Sequence, residues 1–146
     1  MQIRKMLAAF ISFMMIYPVV SVSAFAVDET QIVTDLVSPA YEYAAKTENY
    51  LTITSSTADC KSLCNGMAGV TQITVEHTLE KHWGLWIWNE VDGASLTKTV
   101  DTRAISLVNT KSGLDSGTYR LKSVFTLTNS SGKSETITIY SEEETI

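Results

Sequence analysis

Apolar and polar residues alternate along most of this chain, in short runs of Thr, Val, Ile, Leu and aromatic residues separated by Gly, Asn, Asp and Ser from Tyr50 onward. That is the spacing of strands joined by turns. "YLTIT" (Tyr50–Thr54) reads as the first clear strand, joined by an earlier edge piece at "AYEY" (Ala40–Tyr43). "TADCKSLC" (Thr57–Cys64) puts Ala58, Cys60, Ser62 and Cys64 on one face, and Asn65-Gly66 supplies turn chemistry. "VTQITVEHTLEKH" (Val70–His82) alternates Ile73, Val75, His77 and Leu79 against Gln72, Thr74, Glu76 and Thr78, the mark of a half-buried strand. "LWIWNEV" (Leu85–Val91), a turn at Asp92-Gly93, "ASLTKTV" and "RAISLVN" (Arg103–Asn109) follow, and one of the last two is expected to be loop. "GTYRLKSVFTLTN" puts Tyr119, Leu121, Ser123, Phe125 and Leu127 on one face, and "SETITIYS" (Ser134–Ser141) turns Ile137 and Ile139 inward. About seven strands at this spacing predict an all-β fold, two antiparallel sheets packed as a sandwich.

The first residues do not fit that pattern. Arg4 and Lys5 precede an apolar run from Met6 to Val20, and small residues frame Ala24-Phe25-Ala26. This predicts a secretory signal peptide over residues 1–26, cleaved after Ala26 or, alternatively, after Ala24. The run is short for a bilayer span and Pro18 interrupts it. Residues 27–38 read as a flexible acidic lead, 39–141 as the sandwich domain and 142–146, with Glu142, Glu143 and Glu144, as an acidic tail. The 120 residues left after cleavage suit one core.

Charge narrows the partners. The leader removes two of the 11 basic residues and none of the 16 acidic ones, leaving a net charge of −7. Nucleic-acid affinity rests on neutralising phosphates with Lys and Arg, so no nucleic acid is expected. An anionic membrane surface is disfavoured for the same reason, and the expectation is free secretion, with no membrane partner after cleavage.

Within "LDSGTYRLKS" the order Asp115-Ser116-Gly117-Thr118-Tyr119 matches an immunoglobulin-type corner, although Leu121 stands where a cysteine would be. In such a corner the Tyr hydroxyl bonds the chain just upstream and Gly permits the tight turn. Asp115, Gly117 and Tyr119 are therefore structural candidates, and the predicted fold is an immunoglobulin-like β-sandwich. The corner is a folding device and points to no activity.

Further motifs accompany it: Ala58-Asp59-Cys60, Gly66, Leu79-Glu80-Lys81, Gly117-Thr118-Tyr119-Arg120, and Ser134-Glu135-Thr136 leading to Tyr140-Ser141. With these the chain resembles, from about Pro39 to Ser141, a family of small secreted proteins of Gram-positive gut bacteria built as a signal peptide and one β-sandwich. The resemblance implies a fold and a compartment and brings no activity with it. Three departures stand out: Asp59 where Thr is usual, His77 at an inward position usually apolar, and a poor match from Trp83 to Asn109.

Two cysteines in a secreted chain suggest a disulfide. In an extended strand, however, Cys60 and Cys64 lie about 13 Å apart, against the roughly 4.4 to 6.8 Å a bridge spans. Two small buried thiols are expected instead. Neither His77 nor His82 sits in a nucleophile, metal or general-base motif, and no Gly-rich phosphate cradle occurs. His77 reads as a core histidine with a satisfied ring nitrogen, Glu76 and Glu80 as a solvated outer face, and no metal or cofactor is expected.

The stretch with functional promise is "HWGLWIWNEV", which holds all three tryptophans, Trp83, Trp86 and Trp88. Alternation puts Trp86 and Trp88 on one face of a regular strand. Trp86, the match to the related family's tryptophan, is expected in the core. Trp83 and Trp88, near the ends of the strand, form the candidate binding surface, unless the chain's own loops cover them. The function expected is a non-catalytic extracellular interaction module meeting a protein, a glycan or a second copy of itself. The alternative is a carbohydrate-binding module that uses these tryptophans.

Overall fold

A computed structural model of the chain describes residues 40–146. The predicted signal peptide and all of the acidic lead lie outside the described residues. The described part is all-β, in the order β1 (Ala44–Thr54), β2 (Thr57–Gly66), β3 (Val70–Gly84), β4 (Ile87–Val100), β5 (Ala104–Ser112), β6 (Thr118–Asn129), β7 (Ser134–Tyr140) and β8 (Glu144–Thr145). One antiparallel sheet has the order β1-β2-β5, and the other β4-β3-β6-β7 with β8 also paired to β6. Successive strands cross from one sheet to the other after β2, β4 and β5, the order of an immunoglobulin-like sandwich, here with three strands packed against five.

Alternation sets the packing. Ala58, Cys60, Ser62 and Cys64 from β2 face Ile73, Val75, His77 and Leu79 from β3 and Tyr119, Leu121, Ser123, Phe125 and Leu127 from β6, and all are buried. The core divides into two apolar clusters, one around Phe125, Ile73 and Leu127 and the other around Leu79, Tyr119 and Leu121. Between them lies a polar layer. Ser62 Oγ sits 3.1 Å from His77 Nδ1 and 2.6 Å from Ser123 Oγ, with all three residues fully buried. Ser123 stands directly across the β3–β6 ladder from His77, and Ser62 meets both from the other sheet.

Several sequence expectations need correction. "AYEY" is not a strand; Glu42 and Tyr43 instead present their backbone N–H groups to the Glu135 carboxylate, at 3.0 and 2.7 Å. Asp92-Gly93 is not a turn. β4 runs through it as a bulge, four residues from Val91 to Ala94 standing opposite Leu79 alone, with Gly93 at φ 66°. The bulge drops Ala94 into the core beside Leu79. Both "ASLTKTV" and "RAISLVN" are strand apart from Arg103. The acidic end is no free tail: β8 pairs with Thr118 and Tyr119, and Ile146 exchanges backbone hydrogen bonds with Gly117 at 2.9 and 3.0 Å.

Candidate functional site

The β3–β4 hairpin is longer than the sheet that carries it. The last β3–β6 pair is Lys81 with Tyr119, whereas β3 continues with β4 alone to the closing pair Gly84 with Ile87. The overhang extends about 10 Å, three residues at about 3.4 Å each. Trp83 is the extra residue of a bulge between the pairs His82–Trp88 and Gly84–Ile87. Leu85 and Trp86 form the two-residue turn, and Leu85 adopts a left-handed φ of 51°. That conformation costs a branched L-residue on the order of 1 kcal/mol.

These features overturn the expected roles of the tryptophans. Trp86 is not a core residue; it lies in the turn and is 82% exposed. Leu85 at 79%, Trp83 at 72% and Ile87 at 45% are exposed beside it. Trp88 is half-buried, its ring 4.9 Å from His82 on one contact and 4.1 Å from the Arg120 guanidinium on another. The regular alternation that put Trp86 and Trp88 on one face ends where the hairpin turns. Trp83 therefore remains a candidate contact residue, Trp86 joins it, and Trp88 becomes part of the stem.

The stem is cross-braced. Arg120 is not solvent-facing: its guanidinium lies 4.1 Å from both the Trp88 and Tyr140 rings, and its Nε and Nη2 donate to Glu80 Oε2 at 2.8 and 2.7 Å. Glu80, read from the sequence as part of a solvated face, is thus the counter-ion of a stacked arginine. His82 Nε2–H donates to the Leu85 carbonyl at 2.8 Å and ties the turn to the stem. Alternation places these residues on the outer face but does not reveal contacts between neighbouring strands.

Behind Trp83 lies a cavity of about 270 Å³, lined on its polar side by Lys81, Asn89, Glu90 and Asp115 and floored by Tyr119. The corner supports that floor. Tyr119 Oη donates to the Asp115 carbonyl at 2.6 Å, and Gly117, at φ 156°, passes so close to Lys81 that a Cβ there would lie 2.6 Å from its Cε. A second cavity, about 400 Å³, opens between β1 and β7 beside Tyr41, Glu48 and Tyr140. There the Asn49 side chain donates to the Leu121 and Ile139 carbonyls and clips the sheets together.

The other chemistry-bearing residues are sealed away. Cys60 and Cys64 are free thiols buried on one face of β2. Burial pushes both thiols up to about 11, assisted by the nearby Asp59 and Glu135 carboxylates respectively. Such thiols are poor nucleophiles and poor metal ligands. His77 is held neutral by desolvation, its basicity lowered, and its Nε2 finds no partner among the described residues, so only one ring nitrogen is satisfied. The Ser62–His77 contact has the elements of a nucleophile and base but no surface for a substrate to reach. Among the described residues, no three His, Cys, Asp or Glu side chains converge as a metal site, and no helix is long and apolar enough to cross a membrane.

No family model and no curated protein matches the chain. Among solved structures it is similar to wild-type OgpA from Akkermansia muciniphila, at 9% identity and a TM-score of 0.36, over 71% of this chain and 32% of that one. The chain thus spans about a third of OgpA's length, and a likeness this loose assigns no site.

Proposed function

We propose that the protein is a secreted, non-catalytic binding module that makes its contacts through the end of the β3–β4 hairpin. One observation carries the reading: Trp83, Leu85, Trp86 and Ile87 stand exposed together where the β3–β4 hairpin runs on past the last β3–β6 pair. Exposed apolar side chains in isolation are ordinary, but a contiguous group of this size marks a contact surface. The leader pattern of residues 1–26 supports secretion, and the burial of Ser62, His77 and both cysteines supports a non-catalytic role.

Acrylamide quenching tests the surface. Trp83 and Trp86 should dominate the quenchable emission of the isolated protein, and binding to components of its native medium should protect them. A Trp83→Ala/Trp86→Ala protein should melt normally and lose that binding. If the double variant binds as the parent does, the hairpin is not the contact surface.

The cavity behind Trp83 favours a second reading, a carbohydrate-binding module. A saccharide needs an aromatic plane beside hydrogen-bonding groups, and Trp83 with Lys81, Asn89, Glu90 and Asp115 supplies both. Asn89→Ala should then weaken glycan retention while Trp86→Ala does not; the opposite pattern removes this reading.

A further inference from the structure

The end of the hairpin differs from the rest of the surface in three ways at once. It projects about 10 Å past the sheet edge. It is uncharged, with no Lys, Arg, Asp or Glu between Lys81 and Glu90. Its outermost side chains, Leu85, Trp86 and Ile87, are all apolar and exposed. A flat protein surface would cover only part of such a convex knob. Its counterpart must be concave or must deform around it.

We propose that this knob is a lipid-interface anchor, inserting Leu85, Trp86 and Ile87 into the headgroup and upper acyl region of a zwitterionic phospholipid bilayer, with Trp83 at the interface. The proposal rests on the hairpin reading above and names its counterpart. Backbone groups entering a low-dielectric medium need internal partners. The Leu85 carbonyl has one in His82 Nε2–H, at 2.8 Å, and the Gly84–Ile87 pair closes the ladder behind it. Tryptophan, with its apolar body and polar N–H, is favoured at the membrane interface. The charged groups begin one layer back, where Lys81, Glu80 and Arg120 would remain in water beside the headgroups.

Charge selects the lipid. A chain with more acidic than basic residues gains nothing from an anionic surface, so the contact is driven by apolar area and is insensitive to salt. Net charge governs electrostatic attraction to a membrane and is silent about an uncharged knob.

Flotation of the secreted chain with phosphatidylcholine vesicles tests the proposal, read together with tryptophan emission and its quenching by phosphatidylcholine brominated in the acyl chains. The expected result is co-flotation, blue-shifted and bromine-quenched emission, and partitioning unchanged between low and high salt. Trp86→Ala and Leu85→Ser should each lower the partition coefficient at least about tenfold. Val108→Ser, at an exposed apolar position on β5, should leave it unchanged. Melting curves of all three variants separate lost binding from lost folding. Absence of flotation, flotation only when phosphatidylglycerol is added, or equal loss in Val108→Ser overturns the proposal. If lipid binding is absent but Trp86→Ala abolishes a concentration-dependent dimer or a protein complex, the lipid assignment falls and the hairpin reading stands. If the tip variants alter no binding of any kind, both fall.

Discussion

Two hairpins at the same end of the sandwich solve the same backbone problem with opposite chemistry. Between β1 and β2 the turn is Ser55-Ser56, closed by the pair Thr54–Thr57; between β3 and β4 it is Leu85-Trp86, closed by Gly84–Ile87. Each has two residues, and each begins with a non-glycine residue in the left-handed region, Ser55 at φ 57° and Leu85 at φ 51°. The polar hairpin shows that the fold asks nothing apolar of such a turn. The turn geometry therefore does not itself call for Leu85 and Trp86. The two hairpins also differ in what holds them down: Ser56 accepts a backbone hydrogen bond from Leu114, whereas the apolar hairpin stands beyond the last β3–β6 pair.

The strongest way to break this comparison is to show that the apolar tip contributes to stability after all. Phe125 is fully buried in the core, and its truncation to Ala should cost about 3–5 kcal/mol. Trp86→Ala, at a larger aromatic ring, should change stability by less than about 0.5 kcal/mol. Urea unfolding of both variants checks the contrast. A cost above about 2 kcal/mol for Trp86 would mean that the hairpin end folds back onto the domain.

The stem should behave as an intermediate case. Arg120→Ala removes two ring contacts and leaves Glu80 unpaired, for a loss of about 1–2 kcal/mol. Arg120→Lys should recover little of it, because an ammonium does not stack between two rings as a planar guanidinium does. Tyr119→Phe, which deletes only the 2.6 Å hydrogen bond to Asp115, should cost about 0.5–1.5 kcal/mol. If Arg120→Ala were neutral, the hairpin would lack the rigid base the comparison assumes.

How much of this was legible follows from what alternation encodes. It tells which face a residue takes, and wherever one face is buried it found the core: Ala58, Cys60, Ser62, Cys64 and the β3 and β6 rows are all inside. It does not tell whether a strand outruns its neighbours, so Trp86 was expected inside and lies in a turn beyond the sheet. A bulge also defeats it, because extra residues on one strand shift the pattern, and their composition can be that of a turn. The four residues Val91–Ala94 opposite Leu79 carry turn chemistry and are strand. The two residues of β8 are too few to have a period, and their acidic neighbours masked them. The corner bond from the Tyr119 hydroxyl ends on the main-chain carbonyl of Asp115, so the tyrosine and its spacing carry that signal and the side chain at 115 does not. The braces between Arg120, Trp88 and Tyr140 depend on strand order, which no single strand reveals.

Histidine 77 separates the interior from the tip by pH. Its folded basicity is lowered by burial, while in the unfolded chain it titrates near 6.5. Below that pH the unfolded chain takes up a proton that the folded core resists, so it binds more protons than the native state. Stability therefore falls as pH drops from about 6.5, by up to about 1.4 kcal/mol per unit, until the folded group itself titrates. Denaturant unfolding between about pH 6.5 and 5 reads the slope, and His77→Gln should flatten it. A slope that persists in that variant would place the acid sensitivity elsewhere.

The smallest expected effect gives the sharpest form of the comparison. Replacing Ser55 or Leu85 by glycine removes the Cβ that opposes a left-handed φ and also loosens the unfolded chain, so the two terms partly cancel. The net stabilisation should be about 0.3–1 kcal/mol at each site. It should be no smaller at Leu85, since a bulky γ-branched side chain tolerates this region less well than serine, whose hydroxyl can bond locally. If both turns serve only the fold, the two glycine variants should be interchangeable: slightly more stable, and otherwise like the parent. If the apolar turn carries the contact surface, Leu85→Gly gains stability and loses partitioning into phosphatidylcholine vesicles, while Ser55→Gly gains stability and keeps it. Paired melting and flotation measurements on the two proteins decide this. A Leu85→Gly protein that binds lipid as well as the parent would leave the left-handed leucine without a function in this account.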